Sequence, residues 1–354
     1  MFLSEIPLID VRAEVEFAEG SLPNAVNLPI MNNEERAKVG TAYKVSGREV
    51  AMALGHRLVS GEVKTARLKA WTEQIEKNPT AVFYCYRGGL RSKITQQWLK
   101  EAGIDRPLIE GGFKNARQYL RNSIDECARE KEFLMLSGPT GSAKTRIIAL
   151  AGRIYPSVDL EALARHRGSA FGAWSEPQPP QVDFENQLAV SLLKLKAETR
   201  PLLLEDESRL IGRSVLPPLF FDRMRASEVL LVTESFELRV QNIFEDYVLG
   251  TDLSGDDDAR ISKVYGRYQV ALHSIGRRLG GLRLQEIRTS LQNAEFEHRA
   301  GRGLEANKIW ISQLLQYYYD PIYRSSLDKR NPKILFQGRS AEILDKLKIF
   351  RAGC

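Results

Sequence analysis

The run Tyr84–Ser92, YCYRGGLRS in one-letter code, is the feature that most constrains the fold of this chain. It follows an apolar stretch, Ala81–Phe83, which predicts a β-strand, and it precedes a helical stretch at 93–101. A loop between a strand and a helix turns backbone N–H groups inward, and these donors favour a bound anion and a thiolate. Cys85 is therefore a candidate nucleophile. The candidate anion-binding residues of this loop are Arg87, Gly88, Gly89 and Arg91.

A second anion-binding loop, Gly138–Thr145, lies about fifty residues further on and resembles a Walker A motif. It too stands between an apolar stretch and a helical one. Ala143 occupies a position where the motif has glycine. If that position needs a positive φ, alanine costs about 1 kcal/mol or more; if it already belongs to the helix, φ is negative and alanine is harmless. On the helical alternative, Ala143→Gly is expected to change diphosphate affinity by less than about threefold. The candidate phosphate-binding residues are Gly138, Gly141, Ser142, Lys144 and Thr145, and Thr145 is also a candidate ligand for Mg²⁺.

The segment Leu202–Glu207 resembles a Walker B strand that ends in acidic residues. In a parallel sheet, Glu205 and Asp206 would lie beside the phosphate loop. The alternative is a solvated acidic turn.

The order of predicted strands and helices indicates an α/β protein with two domains. Residues 1–124 form the first, with a mostly parallel sheet that includes a strand at 107–110 and with a helix at 47–60. Residues 125–354 form the second, with strands at 133–137, 157–158, 201–204 and 229–232 and a long helix at 182–198. From about residue 255 onward the pattern is helical and basic: residues 260–354 contain 18 Lys and Arg but 8 Asp and Glu, whereas the whole chain carries a net charge of +6. Such an excess suggests a polyanionic partner, although a solvated helical face would also explain it.

The three cysteines, Cys85, Cys127 and Cys354, have neither metal-ligand spacing nor a disulfide pattern. We therefore expect no resident metal and a reducing compartment. Because no apolar run approaches membrane-spanning length and the start lacks signal-peptide features, we expect a cytoplasmic protein without membrane contact.

The first domain resembles the rhodanese family. Leu8–Arg12, Gly20–Ala25 and Asn27–Pro29 are similar to its opening signature, and Gly111–Phe113 resembles its closing one. The spacing from Cys85 to Arg91 also matches protein tyrosine phosphatases. Typical sulfur-transferring rhodaneses have a loop one residue shorter, and the longer loop resembles members that hold a phosphate-sized oxyanion. Together with the Walker A resemblance of Gly138–Thr145, this resemblance implies a rhodanese-like domain followed by a P-loop NTPase-like domain.

Over nearly its full length the chain resembles the tRNA 2-selenouridine synthases. The matching segments are 39–44, 53–56, 159–172, 205–212 and 318–321, in addition to the two loops. The resemblance implies a transferase that replaces the sulfur of wobble-position 2-thiouridine in tRNA by selenium from selenophosphate, through an S-geranyl intermediate made from geranyl diphosphate. It further implies that Cys85 carries selenium as a selenylsulfide, that no cofactor is tightly bound, and that selenophosphate synthetase is a candidate partner.

Several further residues receive roles on this basis. Arg165 or Arg167 would stabilise the departing diphosphate, and Asp159 would position the thiouridine or cap a helix. The anticodon arm would bind the basic C-terminal third, at Arg277, Arg278, Arg283 and Arg288. The alternatives are a P-loop ATPase or kinase with an accessory rhodanese domain, a dual-specificity phosphatase, and an RNA-binding scaffold without enzymatic activity.

Overall fold

The computed structural model describes residues 2–172, 176–250 and 258–352. Tertiary contacts divide the chain into two compact units. Unit 1 contains residues 1–126 and 179–196, and unit 2 contains residues 127–178 and 197–354. The helix predicted at 182–198 is thus grouped with the first unit, although it follows the phosphate loop in the sequence.

Unit 1 is built on a three-stranded parallel sheet in the order β2-β1-β3. Its elements are β1 (Leu8–Asp10), α1 (Glu14–Ala18), β2 (Ala25–Asn27), α2 (Asn33–Leu58), α3 (Gly61–Lys77), β3 (Val82–Tyr84), α4 (Leu90–Glu101), α5 (Gly112–Glu130), whose last residues belong to unit 2, and α8 (Gln181–Lys194). The strand predicted at 107–110 is reduced to a single parallel bridge between Leu108 and Phe83, because the Gly111-Gly112 turn follows at once.

The core of unit 1 lies against β1 and β3. Trp71 stacks on Trp98 at a centroid distance of 6.2 Å and meets the edge of Phe83, and all three side chains are buried. Helix α2 begins further upstream than the predicted helix at 47–60, because Asn32 and Glu35 form a reciprocal capping box. Gly47, with φ +83°, kinks this helix where the sequence predicted its start.

Unit 2 contains a five-stranded parallel sheet in the order β10-β9-β4-β6-β5. Its strands are β4 (Phe133–Ser137), β5 (Ser157–Val158), β6 (Leu202–Glu205), β7 (Leu210–Ile211), β8 (Ser214–Val215), β9 (Glu228–Val232) and β10 (Ile334–Gly338), with β7 and β8 forming a separate hairpin. Its helices are α6 (Lys144–Ala151), α7 (Leu160–Ala164), α9 (Pro218–Arg225), α10 (Phe236–Phe244), α11 (Asp258–Ser274), α12 (Gly276–Leu279), α13 (Gly281–Arg299), α14 (Asn307–Leu314), α15 (Asp320–Arg330) and α16 (Ser340–Ala352).

Within the described residues, the predicted C-terminal extension forms the helices α11 to α15 between Asp258 and Arg330, and the chain then returns to the sheet as β10 beside β9. The helices have a core of their own around Tyr265 and Trp310. Two π-helical turns, Glu245–Leu249 and Leu315–Tyr319, interrupt the regular helical geometry. None of the helices in the described ranges is long and apolar enough to cross a membrane.

Candidate functional site

The start of α5 fixes the shape of the cysteine loop. The N–H of Phe113 donates to the carbonyl of Cys85 at 2.9 Å, and the N–H of Lys114 donates to the carbonyl of Tyr86 at 2.9 Å. This close approach requires glycine: Gly112 has φ +62°, and a Cβ there would overlap the Cys85 carbonyl and lie 2.5 Å from the N atom of Gly88. The glycine pairs at 88–89 and 111–112 therefore allow the cysteine loop to pack directly against the turn at the start of α5.

Cys85 lies at the end of β3, and its side chain is buried. Its Sγ is 3.2 Å from the hydroxyl of Ser92. Burial works to raise the pKa of the Cys85 thiol, but the hydrogen bond to the Ser92 side chain, the N–H groups of Ser92 and Arg87 and the charge of Arg91 outweigh it. The net pKa is lowered, which favours the thiolate that nucleophilic chemistry needs.

The two arginines of this loop differ in their surroundings. Both outer nitrogens of Arg91 donate to the carboxylate of Glu16, at 2.6 and 3.1 Å. Arg91 therefore contributes its charge to the loop while Glu16 holds both outer nitrogens of its guanidinium. Its role as an anion-binding residue stays a prediction. Arg87 is exposed, with its guanidinium 5.8 Å from the ring centroid of Tyr86.

The opening rhodanese-like signature has a structural explanation. Asp10, at the end of β1, is fully buried and pairs with Arg12 at 2.6 Å. The Arg12 guanidinium also donates to the carbonyl of Gly20 and lies 4.1 Å from the ring centroid of Phe113. This buried pair connects the opening signature to the closing one next to the cysteine loop.

The phosphate loop of unit 2 is held by α10. Asn242 donates to the carbonyl of Gly141 at 2.8 Å, and Arg239 donates to the carbonyl of Thr140 at 2.9 Å. Gly141 has φ +85°, and a Cβ there would lie 2.6 Å from the carbonyl oxygen of Arg239. The Lys144 ammonium donates to the Gly138 carbonyl at 2.9 Å, so it lies across the loop.

Ala143 lies outside α6. It is the N-cap residue, with φ +59° and ψ +29°, and the helix begins at Lys144. The helical alternative for this position is therefore wrong: the left-handed conformation turns the chain into α6 after Ser142, and alanine adopts it at an energetic cost.

The acidic residues near the loop have distinct partners. Thr145 donates to Glu161 at 2.6 Å. Glu205 is fully buried and accepts from the N–H groups of Leu160 and Glu161, at 2.9 and 3.1 Å. Burial, followed by the charges of Asp159 and Glu161, holds the pKa of Glu205 well above its ordinary range. Glu205 thus stabilises the start of α7 by accepting from its first N–H groups, and it does not line the cleft beside the phosphate loop.

A cleft of about 720 Å³ borders the phosphate loop. All five predicted phosphate-binding residues line it, as do Asp206, Arg167 and Arg278. The carboxylate of Asp206 accepts from Ser137 at 2.6 Å and pairs with Arg330. Within the described residues, no group of three or more His, Cys, Asp and Glu side chains is arranged to hold a metal ion.

Other predicted residues lie outside this cleft. Asp159 accepts from the N–H of Ala162 at 2.7 Å and caps α7, one of its two predicted roles. Arg165 ends α7 and faces Glu176 at 3.5 Å. Arg283 pairs with Glu286 and lies over the ring of Tyr317. Arg277, Arg283 and Arg288 are not among the residues that line the cleft.

The structure adds residues that the motifs did not indicate. The cleft is also lined by Glu161, Glu207, Arg209, Arg225 and Arg330, and its loop is held by Arg239 and Asn242. Most of these lie far from the loop in sequence and carry no motif, so only the tertiary fold identifies them. Glu161, Glu207 and Arg209 lie inside the segments 159–172 and 205–212, where the family resemblance was the available signal.

These observations define a protein that joins a rhodanese-like domain to a P-loop domain. Residues 3–119 match the rhodanese-like domain family, and residues 131–352 match the family described as the tRNA 2-selenouridine synthase AAA domain. A tRNA 2-selenouridine synthase of Nitrosomonas eutropha is 48% identical, covering 98% of this chain and 95% of the relative. One from Bdellovibrio bacteriovorus is 50% identical, covering 97% and 94%. The chain belongs to the tRNA 2-selenouridine synthase family.

Proposed function

We propose that this protein replaces the sulfur of wobble-position 2-thiouridine in tRNA by selenium, with geranyl diphosphate and selenophosphate as co-substrates. The observation that carries the proposal is the presence in one chain of a cysteine loop with a lowered thiol pKa and a phosphate loop beside a basic cleft. The relatives' name supports the overall exchange. The division into two steps is our inference from the two loops.

In the first step, the thiocarbonyl sulfur attacks C1 of geranyl diphosphate and the carbon–oxygen bond to the diphosphate breaks. The N–H groups of the phosphate loop and the Lys144 ammonium are suited to stabilise the departing diphosphate, and Arg167 adds charge at the same cleft. If Mg²⁺ accompanies the diphosphate, Thr145 and Glu161 offer oxygen ligands at the loop, and the ion would neutralise phosphate charge.

Alkylation of the sulfur also requires that the base lose its N3 proton. Four carboxylates line the cleft, and three have partners: Glu161 binds Thr145, Asp206 binds Ser137 and Arg330, and Asp246 binds Arg146. The fourth, Glu207, makes no hydrogen bond to another side chain and no ion pair within the described residues, and its carboxylate accepts from the N–H of Ser208.

Burial, followed by the charge of Glu161, raises the pKa of Glu207 to about 8. This value is near the working pH and suits a general base. Gly168, with φ +62°, leaves room for the carboxyl group, since a Cβ there would lie 2.9 Å from Glu207 Cδ. We therefore assign Glu207 as the general base that accepts the N3 proton of the base.

The cleft also offers an apolar side for a prenyl chain. Ile243, Ile322 and Leu327 line it, with the rings of Tyr318 and Tyr319. A neighbouring apolar cavity around Trp310 has a volume of about 20 Å³, which is enough for little more than one water molecule. We therefore place the geranyl chain in the cleft itself.

In the second step, the selenium of selenophosphate bonds to C2 of the base as geranylthiolate leaves. A nucleophile then takes the phosphoryl group, which breaks the phosphorus–selenium bond and leaves the selenocarbonyl. Sulfur and selenium keep their oxidation states, so no oxidant is required. A selenylsulfide on Cys85 would require the loss of two electrons. We therefore assign the Cys85 thiolate as the phosphoryl acceptor, in a loop whose length suits a phosphate-sized oxyanion. Water then hydrolyses the phosphorus–sulfur bond, which releases phosphate and regenerates the Cys85 thiol.

The two steps are separable by mutation. Cys85→Ser is expected to abolish selenation and spare geranylation, with Cys127→Ser as the matched control. Lys144→Ala is expected to abolish geranylation and spare selenation of tRNA that is already geranylated, with the exposed Lys263→Ala as the control. Mass spectrometry of the wobble nucleoside reads both. Loss of both steps in either variant, with the fold intact, would refute the division; ATP turnover that ignores geranyl diphosphate would favour the P-loop ATPase alternative.

A further inference from the structure

A second cluster of positive charge lies in the cleft of unit 2, apart from the residues assigned above. Arg225 is the last residue of α9, and Arg330 is the last residue of α15; both line the cleft. The side chain of Arg330 is only 6% exposed. Its Nη1 pairs with Asp206, whereas its Nε and Nη2 are buried and have no hydrogen-bond partner within the described residues.

The two unpartnered donors of Arg330 belong to one edge of the guanidinium group. The N–H bonds of Nε and Nη2 run parallel along that edge, which matches the spacing of two oxygens of a phosphate. Buried donors without a partner are costly, about 1–3 kcal/mol each and more when they are charged. A ligand with two adjacent anionic oxygens would satisfy both donors at once.

Arg225 adds a second guanidinium group to the same place. Within the described residues it makes no hydrogen bond and no ion pair, and burial together with the neighbouring charge of Arg330 lowers its pKa. Asp206 is the carboxylate that these two arginines share, and one of its oxygens already accepts from Ser137. The cluster therefore carries an excess positive charge that an anion would neutralise.

We propose that the Nε–Nη2 edge of Arg330, together with Arg225, binds a backbone phosphate of the RNA beside the nucleotide that is modified. The identity of the RNA rests on the proposed function. A nucleotide that enters the cleft brings a phosphate on each side of its sugar, whereas the diphosphate of the co-substrate has the phosphate loop and Lys144 for its own charge.

The test uses the full-length protein with two ligands, a tRNA transcript and inorganic pyrophosphate. Arg330→Lys keeps a charge for Asp206 but removes the bidentate edge, and it is expected to weaken tRNA binding about fivefold or more. Arg225→Gln is expected to weaken tRNA binding and to lower the slope of log affinity against log salt by about one. Both variants should bind pyrophosphate within twofold of wild type. The matched control is Arg223→Gln on α9, whose arginine donates to the carbonyl of Lys131 and does not line the cleft; it should change neither affinity.

Unchanged tRNA affinity in Arg225→Gln and Arg330→Lys would overturn the assignment. A loss of pyrophosphate affinity with tRNA binding intact would show that these arginines bind the diphosphate of the co-substrate, and it would also overturn the assignment. If Arg330→Lys does not fold, Arg225→Gln decides alone, because Arg225 has no partner in the described part of the fold. Wild-type protein that binds no tRNA would overturn the proposed function itself, whereas loss of geranylation with tRNA binding intact would leave this subsite standing.

Discussion

Ala143→Gly offers a direct test of the phosphate-loop geometry. With φ +59° and ψ +29°, Ala143 is in the left-handed region, which costs an L-residue about 1–2 kcal/mol. Glycine avoids this penalty but loses roughly 0.5–1 kcal/mol more conformational free energy on folding. The net expectation is a gain of about 0.5–1 kcal/mol. For a unit of this size, that gain corresponds to a rise in melting temperature of roughly 1–4 °C.

The matched control is the same substitution six residues later. Ala149 is exposed within α6, so Ala149→Gly should cost about 1 kcal/mol and lower the melting temperature of unit 2 by roughly 2–4 °C. Calorimetry of the full-length protein compares the two variants with wild type. The opposite signs are the essential result, because both changes remove one methyl group and differ only in backbone conformation.

The Ala143→Gly variant should bind pyrophosphate with nearly wild-type affinity. The left-handed conformation is already present in the loop without ligand, so its cost is the same before and after binding and cancels. We expect a change of less than about threefold. This agrees with the expectation from the helical alternative, but the physical reason differs. If Ala143→Gly destabilised the protein as much as Ala149→Gly, the positive φ would be refuted; a tenfold gain in affinity would mean that the strain arises on binding.

Three further outcomes are expected. The rate of Cys85 alkylation should show a midpoint below the reference value of about 8.5, and Ser92→Ala should move that midpoint upward; a wild-type midpoint at or above the reference would refute the lowered pKa. Geranylation should rise with pH through about 8 as Glu207 ionises, and Glu207→Gln should remove that rise; an unchanged profile would exclude Glu207 as the base. Gly112→Ala should destabilise unit 1 by at least about 1 kcal/mol more than Gly103→Ala, because both glycines have positive φ but only a Cβ at position 112 would overlap backbone atoms of the cysteine loop. Equal melting temperatures of the two variants would contradict the close packing of Gly112 against this loop.

The sequence predicted the strand–loop–helix units well because their signals are local. The apolar run Phe133–Ser137 has the bounds of β4, and the glycines at 88–89 and 111–112 lie where the chain must bend. Loops of this kind are built from neighbouring residues, so local sequence contains most of the information.

The remaining features depend on contacts between distant residues. Whether Ala143 is helical depends on how the loop closes against α10, and both conformations suit the same letters. The guanidinium of Arg91 is held by Glu16, which lies 75 residues earlier, and no motif indicated this contact. Arg330 lies 124 residues from Asp206, and no motif connects them. Side-chain partners of this kind are decided by packing, which periodicity and spacing do not contain.

The two π-helical turns make the cleft sensitive to chain length. A π-helical turn is an α-helix that has accommodated one additional residue. Tyr247 lies in the first turn and Tyr318 and Tyr319 lie in the second, and all three line the cleft. Removing one residue from either turn would restore regular helix and rotate the side chains beyond the deletion by about 100° around the axis. The aromatic wall of the cleft therefore depends on the number of residues in these turns as much as on their identity, and a single-codon deletion there would alter it while every cleft-lining side chain outside that turn remained.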